Sequence, residues 1–185
     1  DLLHNLESEG FRGYDLYDGL KNIDNETILG NFYLREILTQ LHKWSPINLR
    51  PLFLISPTRM PKAMGLILRA YCNIWHLLDK TKNQRKQDLV MQRMLRIESW
   101  LDNNKCQDYN GDCWNFGFKY KHMRNTPTVV ITSIVARGLF NLYEINQSPR
   151  TRETLIRICN FIVEDLNISK TKKGICFSYT PITKD

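Results

Sequence analysis

The 185-residue sequence lacks the long apolar runs that membrane helices require. Its nearly uncharged stretches, such as residues 64–68 and 126–136, are shorter than the roughly 20 apolar residues that cross a bilayer. The first residues also lack the basic and apolar regions of a signal peptide. We therefore expect a chain with no membrane span and a cytoplasmic location.

The sequence also lacks the short motifs of several catalytic classes. No glycine-rich phosphate loop, G-x-S-x-G elbow or H-E-x-x-H motif occurs, which argues against nucleotide, serine and zinc hydrolysis. The four histidines and five cysteines have no zinc-ligand spacing, and no two cysteines form C-x-x-C. We expect no metal and no cofactor, and cysteines that are mostly reduced and buried.

Positive charge is what the sequence has in excess, with a formal net charge of +7 at pH 7. A basic surface attracts nucleic acid, anionic polysaccharide or acidic lipid. The densest basic run, residues 80–96, contains no aromatic residue that would stack on bases, so a solvated helix explains it better than a nucleic-acid site. We predict no nucleic-acid partner.

Apolar residues recur at intervals of three and four, which predicts amphipathic helices. The predicted helices cover residues 2–9, 27–43, 63–79 and 85–102, with a short helical turn within 48–55. Residues 63–79 are apolar on nearly every face, which predicts an inner helix surrounded by protein. Residues 85–102 have one apolar face and one basic face, which predicts an outer helix.

The helical pattern then repeats. Both helices of a unit are related by offsets of 66 and 65: Pro61, Ala70, Ile74 and Leu77 match Pro127, Ala136, Phe140 and Tyr143, and Val90, Met94, Ile97 and Leu101 match Leu155, Cys159, Ile162 and Leu166. We predict an all-α fold of repeated helical hairpins forming part of an α/α toroid, with short extended aromatic segments between hairpins. Residues 1–185 then form a single domain, half of a toroid that a missing C-terminal half or a second chain completes.

Three carboxylates are candidates for acid–base chemistry. Asp15 and Asp18 lie in a glycine-containing loop, and Asp112, or its neighbour Asp108, can face them across a cleft. A pair of carboxyl groups with separated pKa values is what glycoside hydrolysis or epimerisation requires. Asp-Gly pairs are also ordinary turn formers, which is the alternative for Asp18.

Aromatic and forked polar side chains are candidates for substrate binding. Trp114, Phe116, Phe118 and Tyr120 alternate, and their rings can stack on sugars, pack between hairpins or shield a carbocation. The sequence has no D-x-D-D cluster for the carbocation chemistry. Asn48 and Arg50 can hold a carboxylate or phosphate, or tie their loop to helix-end carbonyls. The full predicted binding set is Tyr14, Tyr17, Asn48, Arg50, Trp114, Phe116, Phe118, Lys119, Tyr120 and Tyr179.

Five segments carry a resemblance to a known family: 13–20 (GYDLYDGL), 45–52 (SPINLRPL), 113–118 (CWNFGF), 126–128 (TPT) and 177–179 (FSY). Together they resemble a bacterial family associated with surface-polysaccharide biosynthesis, whose members look like α/α toroids of the terpenoid-cyclase or six-hairpin-glycosidase type. The resemblance covers essentially the whole chain, as the N-terminal half of such a protein, and implies a concave cleft lined by inner helix ends and loops.

The resemblance has one departure, because relatives usually carry an acid and a glutamine where this chain has Lys119 and Lys121. The chain has then either lost an activity or binds a more negative ligand. We expect a carbohydrate-active or carbohydrate-binding protein with a glycan or anionic polysaccharide as partner. The alternatives are a non-catalytic scaffold or binding domain and a terpenoid-cyclase-like protein.

Overall fold

The computed structural model describes residues 2–15, 32–53, 55–117 and 126–183. This part of the chain is mainly helical, as the sequence predicts. Its helices are α1 (Leu2–Ser8), α2 (Phe32–Trp44), a 3-10 helix (Arg50–Phe53), α3 (Pro61–Lys80), α4 (Gln84–Asn103), α5 (Val129–Asn146) and α6 (Pro149–Asn160), followed by a π-helical turn (Phe161–Asp165). Among the described helices, none is long and apolar enough to cross a membrane.

The chain divides into two compact units, residues 1–60 with 118–124 and residues 61–117 with 125–185. We call them unit 1 and unit 2. In unit 1, Gly13 and Thr58 exchange two backbone hydrogen bonds of 3.1 and 3.0 Å. The Arg59 guanidinium donates to the carbonyl of Gly10 at 2.6 Å. These contacts join the loop after α1 to the segment after the 3-10 helix.

Unit 2 is built from four packed helices. α3 packs against α4 and α5, and α5 packs against α6. Three residues connect α3 to α4 and two connect α5 to α6, so each of these pairs is a helical hairpin. Side chains link α4 to α6 as well, because the Thr151 hydroxyl donates to the Glu98 carboxylate at 2.6 Å.

Local sequence explains where the helices of unit 2 begin. Pro61 opens α3, where its missing N–H costs nothing. The side chains of Asn83 and Thr128 cap α4 and α5 by accepting a backbone N–H from the first turn. Pro149 is the first residue of α6. By contrast, Pro127 lies before the cap of α5, so the predicted equivalence of Pro61 and Pro127 is wrong in detail.

The core of unit 2 confirms the predicted face of α4, on which Val90, Met94, Ile97 and Leu101 are buried. The prediction for α3 is only half right. Its residues Met64, Leu68, Tyr71 and Cys72 are buried against neighbouring helices, but Leu66 and Leu77 are 46% and 62% exposed. The second apolar face of α3 is therefore at the surface.

Trp114 joins the two hairpins. Its ring is fully buried, and its indole N–H donates to the carbonyl of Leu101 at 2.9 Å. Its backbone N–H donates to the hydroxyl of Thr132 at 3.2 Å, and its carbonyl accepts from the N–H of Thr128 at 3.2 Å. The last turn of α4 and the first turn of α5 are thus both bound to one residue.

The chain after the π-helical turn forms an antiparallel hairpin of β1 (Ile168–Thr171) and β2 (Gly174–Phe177). The following Tyr179 carbonyl accepts from the N–H of Val129 at 3.1 Å. Of the aromatic segment 177–179, Phe177 is thus the last residue of β2, whereas Tyr179 lies in a bend that is bound to the start of α5. The strand before it, β1, was not predicted, because residues 168–171 show no aromatic or apolar alternation.

Helices α3 and α5 approach closely at Gly65 and Gly138. A Cβ added at Gly138 would lie 2.6 Å from the carbonyl oxygen of Gly65, and one at Gly65 would lie 3.0 Å from the Cα of Val135. Both obstacles are backbone atoms, which cannot rotate away. The packing distance of the two central helices therefore depends on the absence of side chains here.

We expect Gly138→Ala to destabilise the protein. Alanine raises helix propensity by up to about 1 kcal/mol, but the overlap with the α3 backbone costs typically about 1–3 kcal/mol, so the net change lowers the midpoint of thermal unfolding. Ser133→Ala, at an exposed position of the same helix, is the matched control and should leave the midpoint unchanged or slightly raised. Equal midpoints for Gly138→Ala and wild type would disprove the close-packing interpretation.

Candidate functional site

Arg50 is the centre of a polar cluster in unit 1. Its guanidinium carbon lies 5.2 Å from the centroid of the Tyr14 ring, and its Nη2 donates to the carbonyl of Asp15 at 3.1 Å. The Asn48 Oδ1 accepts from the Arg50 backbone N–H at 3.2 Å and lies 3.5 Å from Nη1. The structure thus brings together four residues that the sequence predicted separately: Tyr14, Asp15, Asn48 and Arg50.

This cluster, which we call the Arg50 cluster, is accessible. Tyr14 is 41% exposed, Asn48 is exposed, and Asp15 and Arg50 are half-buried. A cation on an aromatic ring is a stabilising arrangement, and the polar groups beside it can hydrogen-bond a ligand. The predicted alternative for Arg50 is confirmed in part, because Arg50 does tie its loop to a backbone carbonyl, but that carbonyl belongs to the loop after α1.

Several predicted site residues lie outside the described residues: Tyr17, Asp18, Phe118, Lys119 and Tyr120. The predicted pairing of Asp15 with Asp112 across a cleft stays a prediction, because the two aspartates belong to different units.

Asp112 is the centre of a second polar cluster, in unit 2. One carboxylate oxygen accepts from Arg157 Nε at 2.9 Å and the other from Lys105 Nζ at 3.2 Å. Lys105 also contacts Asp102 at 2.7 Å, and Arg150 contacts the other Asp102 oxygen at 2.5 Å. We call these five residues the Asp112 network. It joins the end of α4 to α6 and to the loop that follows α4.

The Asp112 network alters the proton affinity of Asp102 and Lys105. Hydrogen bonding from Lys105 lowers the pKa of Asp102, and Arg150 adds to the effect against a smaller opposing contribution of burial. Burial lowers the pKa of Lys105, but the hydrogen bonds to Asp102 and Asp112 outweigh it, so the net shift is upward. Asp102 and Lys105 therefore stabilise each other in the ionised form.

A third carboxylate holds the loop between α4 and Trp114. Asp165 accepts from the backbone and side-chain N–H groups of Asn110 at 3.1 and 2.9 Å, and from the N–H of Gly111 at 3.1 Å. A Cβ at position 111 would overlap the backbone atoms of Arg157 and Phe161, so glycine is required there. The loop is thus fastened to the end of α6 by side chains and by backbone contact.

Burial corrects two of the predicted roles. Trp114 is fully buried, so its ring is a core residue and offers no face to a ligand. Asp112 is 4% exposed and bound on both oxygens, which is typical of a structural carboxylate. Phe116 is half-buried, and Tyr179 is 40% exposed, which leaves its ring accessible.

Sequence reasoning missed Lys105, Arg157 and Asp165. The spacing of Asp102 and Lys105, three residues apart at a helix end, was a usable signal for one ion pair. Nothing in the sequence connects Asp112 with Arg157 or Asn110 with Asp165, because these pairs are 45 and 55 residues apart.

Within the described ranges, no group of three or more His, Cys, Asp or Glu residues is arranged to hold a metal ion. Comparison with known proteins finds no matching family model, no matching curated protein and no matching solved structure.

We expect Asp112→Asn to destabilise unit 2 by about 1–3 kcal/mol, because it leaves Arg157 and Lys105 beside a buried neutral group. Denaturant unfolding measures the change. Asp108→Asn is the matched control, since Asp108 is exposed in the same loop and has a φ of 68°, which asparagine also tolerates. Similar losses in both variants would show that the network contributes no specific stability.

Asp102 should contribute stability that depends on pH. Its folded pKa lies below the unfolded value of 3.8, so the contribution is fully present above pH 3.8 and is lost as the pH falls through the lower folded pKa. The difference in unfolding free energy between wild type and Asp102→Asn should therefore be constant near neutral pH and shrink in strong acid. A difference that grows as the pH falls below 3.8 would contradict this assignment.

Proposed function

We propose that this chain is a carbohydrate-binding protein that recognises an anionic glycan through the Arg50 cluster. The observation that carries the proposal is the contact of the Arg50 guanidinium with the exposed Tyr14 ring, with the Asn48 side chain beside it. The family resemblance adds a bacterial surface polysaccharide, or its precursor, as the source of the glycan.

The chemistry of the cluster matches that of an acidic sugar. An exposed aromatic ring packs against the C–H face of a pyranose. A guanidinium interacts with a carboxylate through charge and forked hydrogen bonds, and an amide hydrogen-bonds to hydroxyls. Arginine stays charged at any physiological pH, so the attraction persists across the pH range in which a uronate is ionised.

We propose binding rather than catalysis for the described residues. Asp112 is buried and has both carboxylate oxygens in ion pairs, which favours a structural role over action on a substrate. A hydrolase or epimerase would require two acidic side chains at a substrate. Turnover of a glycan, measured in the same experiment, would replace the binding proposal with the catalytic one.

The proposed wider architecture is an α/α toroid of which this chain supplies part. The proposal is supported by the sequence repeat and by the short connections within two helix pairs, α3 with α4 and α5 with α6. The exposed apolar side chains of α3 and α5, among them Leu66, Leu77 and Phe140, are what neighbouring hairpins would cover.

The proposal predicts selective binding of oligogalacturonate, measured by isothermal titration calorimetry against its fully methyl-esterified form. The two ligands share their sugar rings and differ in charge, so esterification should weaken binding at least about tenfold. Arg50→Gln should weaken binding of the acidic ligand by about tenfold or more, because it removes a charge-assisted contact. Tyr14→Ala should weaken the binding of both ligands.

Arg59→Gln is the matched control. Arg59 is an exposed arginine of unit 1 that, like Arg50, donates to a backbone carbonyl, and it makes no described contact with Tyr14. Its loss should leave affinity within about twofold, since it removes the same net charge without removing a contact to the aromatic ring. Equal losses of affinity in Arg50→Gln and Arg59→Gln would show that net charge alone, and not the Arg50 cluster, attracts the ligand. Equal affinity for the acidic and the esterified ligand would overturn the proposal.

A further inference from the structure

Cys106 and Cys113 lie opposite one another where the chain reverses after α4. The N–H of Cys106 donates to the carbonyl of Cys113 at 2.9 Å, and the Cys113 thiol hydrogen-bonds to the Cys106 sulfur. The backbone hydrogen bond and the hydrogen bond between the thiols place the two side chains next to each other, which is the first requirement for a disulfide. Both side chains belong to one apolar cluster with Phe161 and Leu166.

The surrounding contacts hold the pair in place. The reversal includes Asp108 in a left-handed conformation, with a φ of 68°. Asp165 accepts hydrogen bonds from Asn110 and Gly111, and the Asp112 N–H donates to the carbonyl of Arg157 at 3.1 Å. The loop is therefore anchored at residues 110–112 to α6 and to the π-helical turn, and the backbone hydrogen bond from Cys106 to Cys113 joins the other side of the reversal to this anchored segment.

The two thiols differ in a way that suits a nucleophile and its resolving partner. Cys106 is half-buried, and the hydrogen bond from the Cys113 thiol lowers its pKa. Cys113 is fully buried, and donating that bond, together with burial, raises its pKa. Reactive cysteines are partly exposed and favour the thiolate, whereas buried cysteines are inert until a neighbour reacts.

We propose that Cys106 and Cys113 form a redox-reactive pair that hydrogen peroxide converts into an intrachain disulfide. This site is independent of the Arg50 cluster and of the proposed glycan. The disulfide closes the loop that leads into Asp112 and Trp114, and a thiol reductant reopens it.

The reaction balances in two steps. The Cys106 thiolate attacks one peroxide oxygen, the O–O bond breaks, and the leaving hydroxide takes a proton to give water and a sulfenic acid. The Cys113 sulfur then attacks the Cys106 sulfur, the S–O bond breaks, and the hydroxide leaves with the Cys113 proton as a second water. Two thiols lose two electrons, and one peroxide gains them.

The other cysteines provide an internal comparison. Cys72 is buried between helices, where burial raises the pKa of its thiol to about 12. Cys159 and Cys176 are exposed. They should be open to alkylating reagents, but they are not part of the described pair.

The test uses the full chain, graded hydrogen peroxide, N-ethylmaleimide to block the remaining thiols, and peptide mass mapping without reduction. Trypsin leaves both cysteines in one peptide, residues 106–119, because lysines stand at 105 and 119. The expected product is this peptide without maleimide and lighter by two hydrogens. Chymotrypsin cuts after Tyr109, so the two halves should then remain joined until a reductant is added.

The matched variants separate a pair from two independent thiols. In a Cys159→Ser/Cys176→Ser background the disulfide should form at the wild-type rate. Cys106→Ser should slow oxidation of Cys113 at least tenfold, and Cys113→Ala should stop Cys106 at a sulfenic acid that dimedone traps. If Cys113→Ala does not fold, the peptide mass map of the wild-type protein still tests the proposal, because it shows whether Cys106 and Cys113 are joined.

Three results would overturn the proposal. The first is maleimide on both cysteines of peptide 106–119 at a peroxide dose that oxidises Cys159 and Cys176. The second is a disulfide between Cys106 and a cysteine other than Cys113. The third is accumulation of sulfinic acid at Cys106 without the cross-link.

Discussion

Burial of Trp114 is the constraint on which the packing of unit 2 depends. In the C-terminal turn of α4, the carbonyl of Leu101 accepts the backbone N–H of Asn104 and also the indole N–H of Trp114. The same residue bonds to Thr132 and Thr128 at the start of α5. The large Trp114 ring is buried, and the backbone N–H and carbonyl of the same residue are both hydrogen-bonded. Few arrangements satisfy both requirements, so Trp114 fixes the end of α4 and the start of α5 relative to each other.

The burial of Trp114 also positions the loop that precedes it. Directly before the buried Trp114, Asp112 and Cys113 lie against α6 and the π-helical turn, where they contact Arg157 and Phe161. The absence of a side chain at Gly111 allows the backbone approach, and Asp165 bonds to the loop amides. The ion pairs, the apolar contact and the cysteine pair thus all depend on the packing of this one loop against α6 and the π-helical turn. Unit 1 uses different means, with Arg50 joining two loops through an aromatic ring and a carbonyl.

The helices were predictable because their signals are local. The faces of α4 and the proline at the start of α3 follow from residues within a few turns of each other, and both are observed. The candidate site was predictable only in part. Tyr14, Asp15, Asn48 and Arg50 were each chosen for their chemistry, yet their convergence on Arg50 depends on contacts across 35 residues. The sequence predicted that Trp114 binds a ligand, and this was wrong because the same alternating aromatic pattern occurs whether the rings line a cleft or pack in a core.

The sequence by itself determined that this is a basic, mainly helical chain, since charge and hydrophobic period are properties of neighbouring residues. Only the tertiary structure decided which aromatic ring is buried, which aspartate carries ion pairs and which cysteines meet. Those outcomes depend on distances between residues far apart in the chain, and packing alone sets such distances.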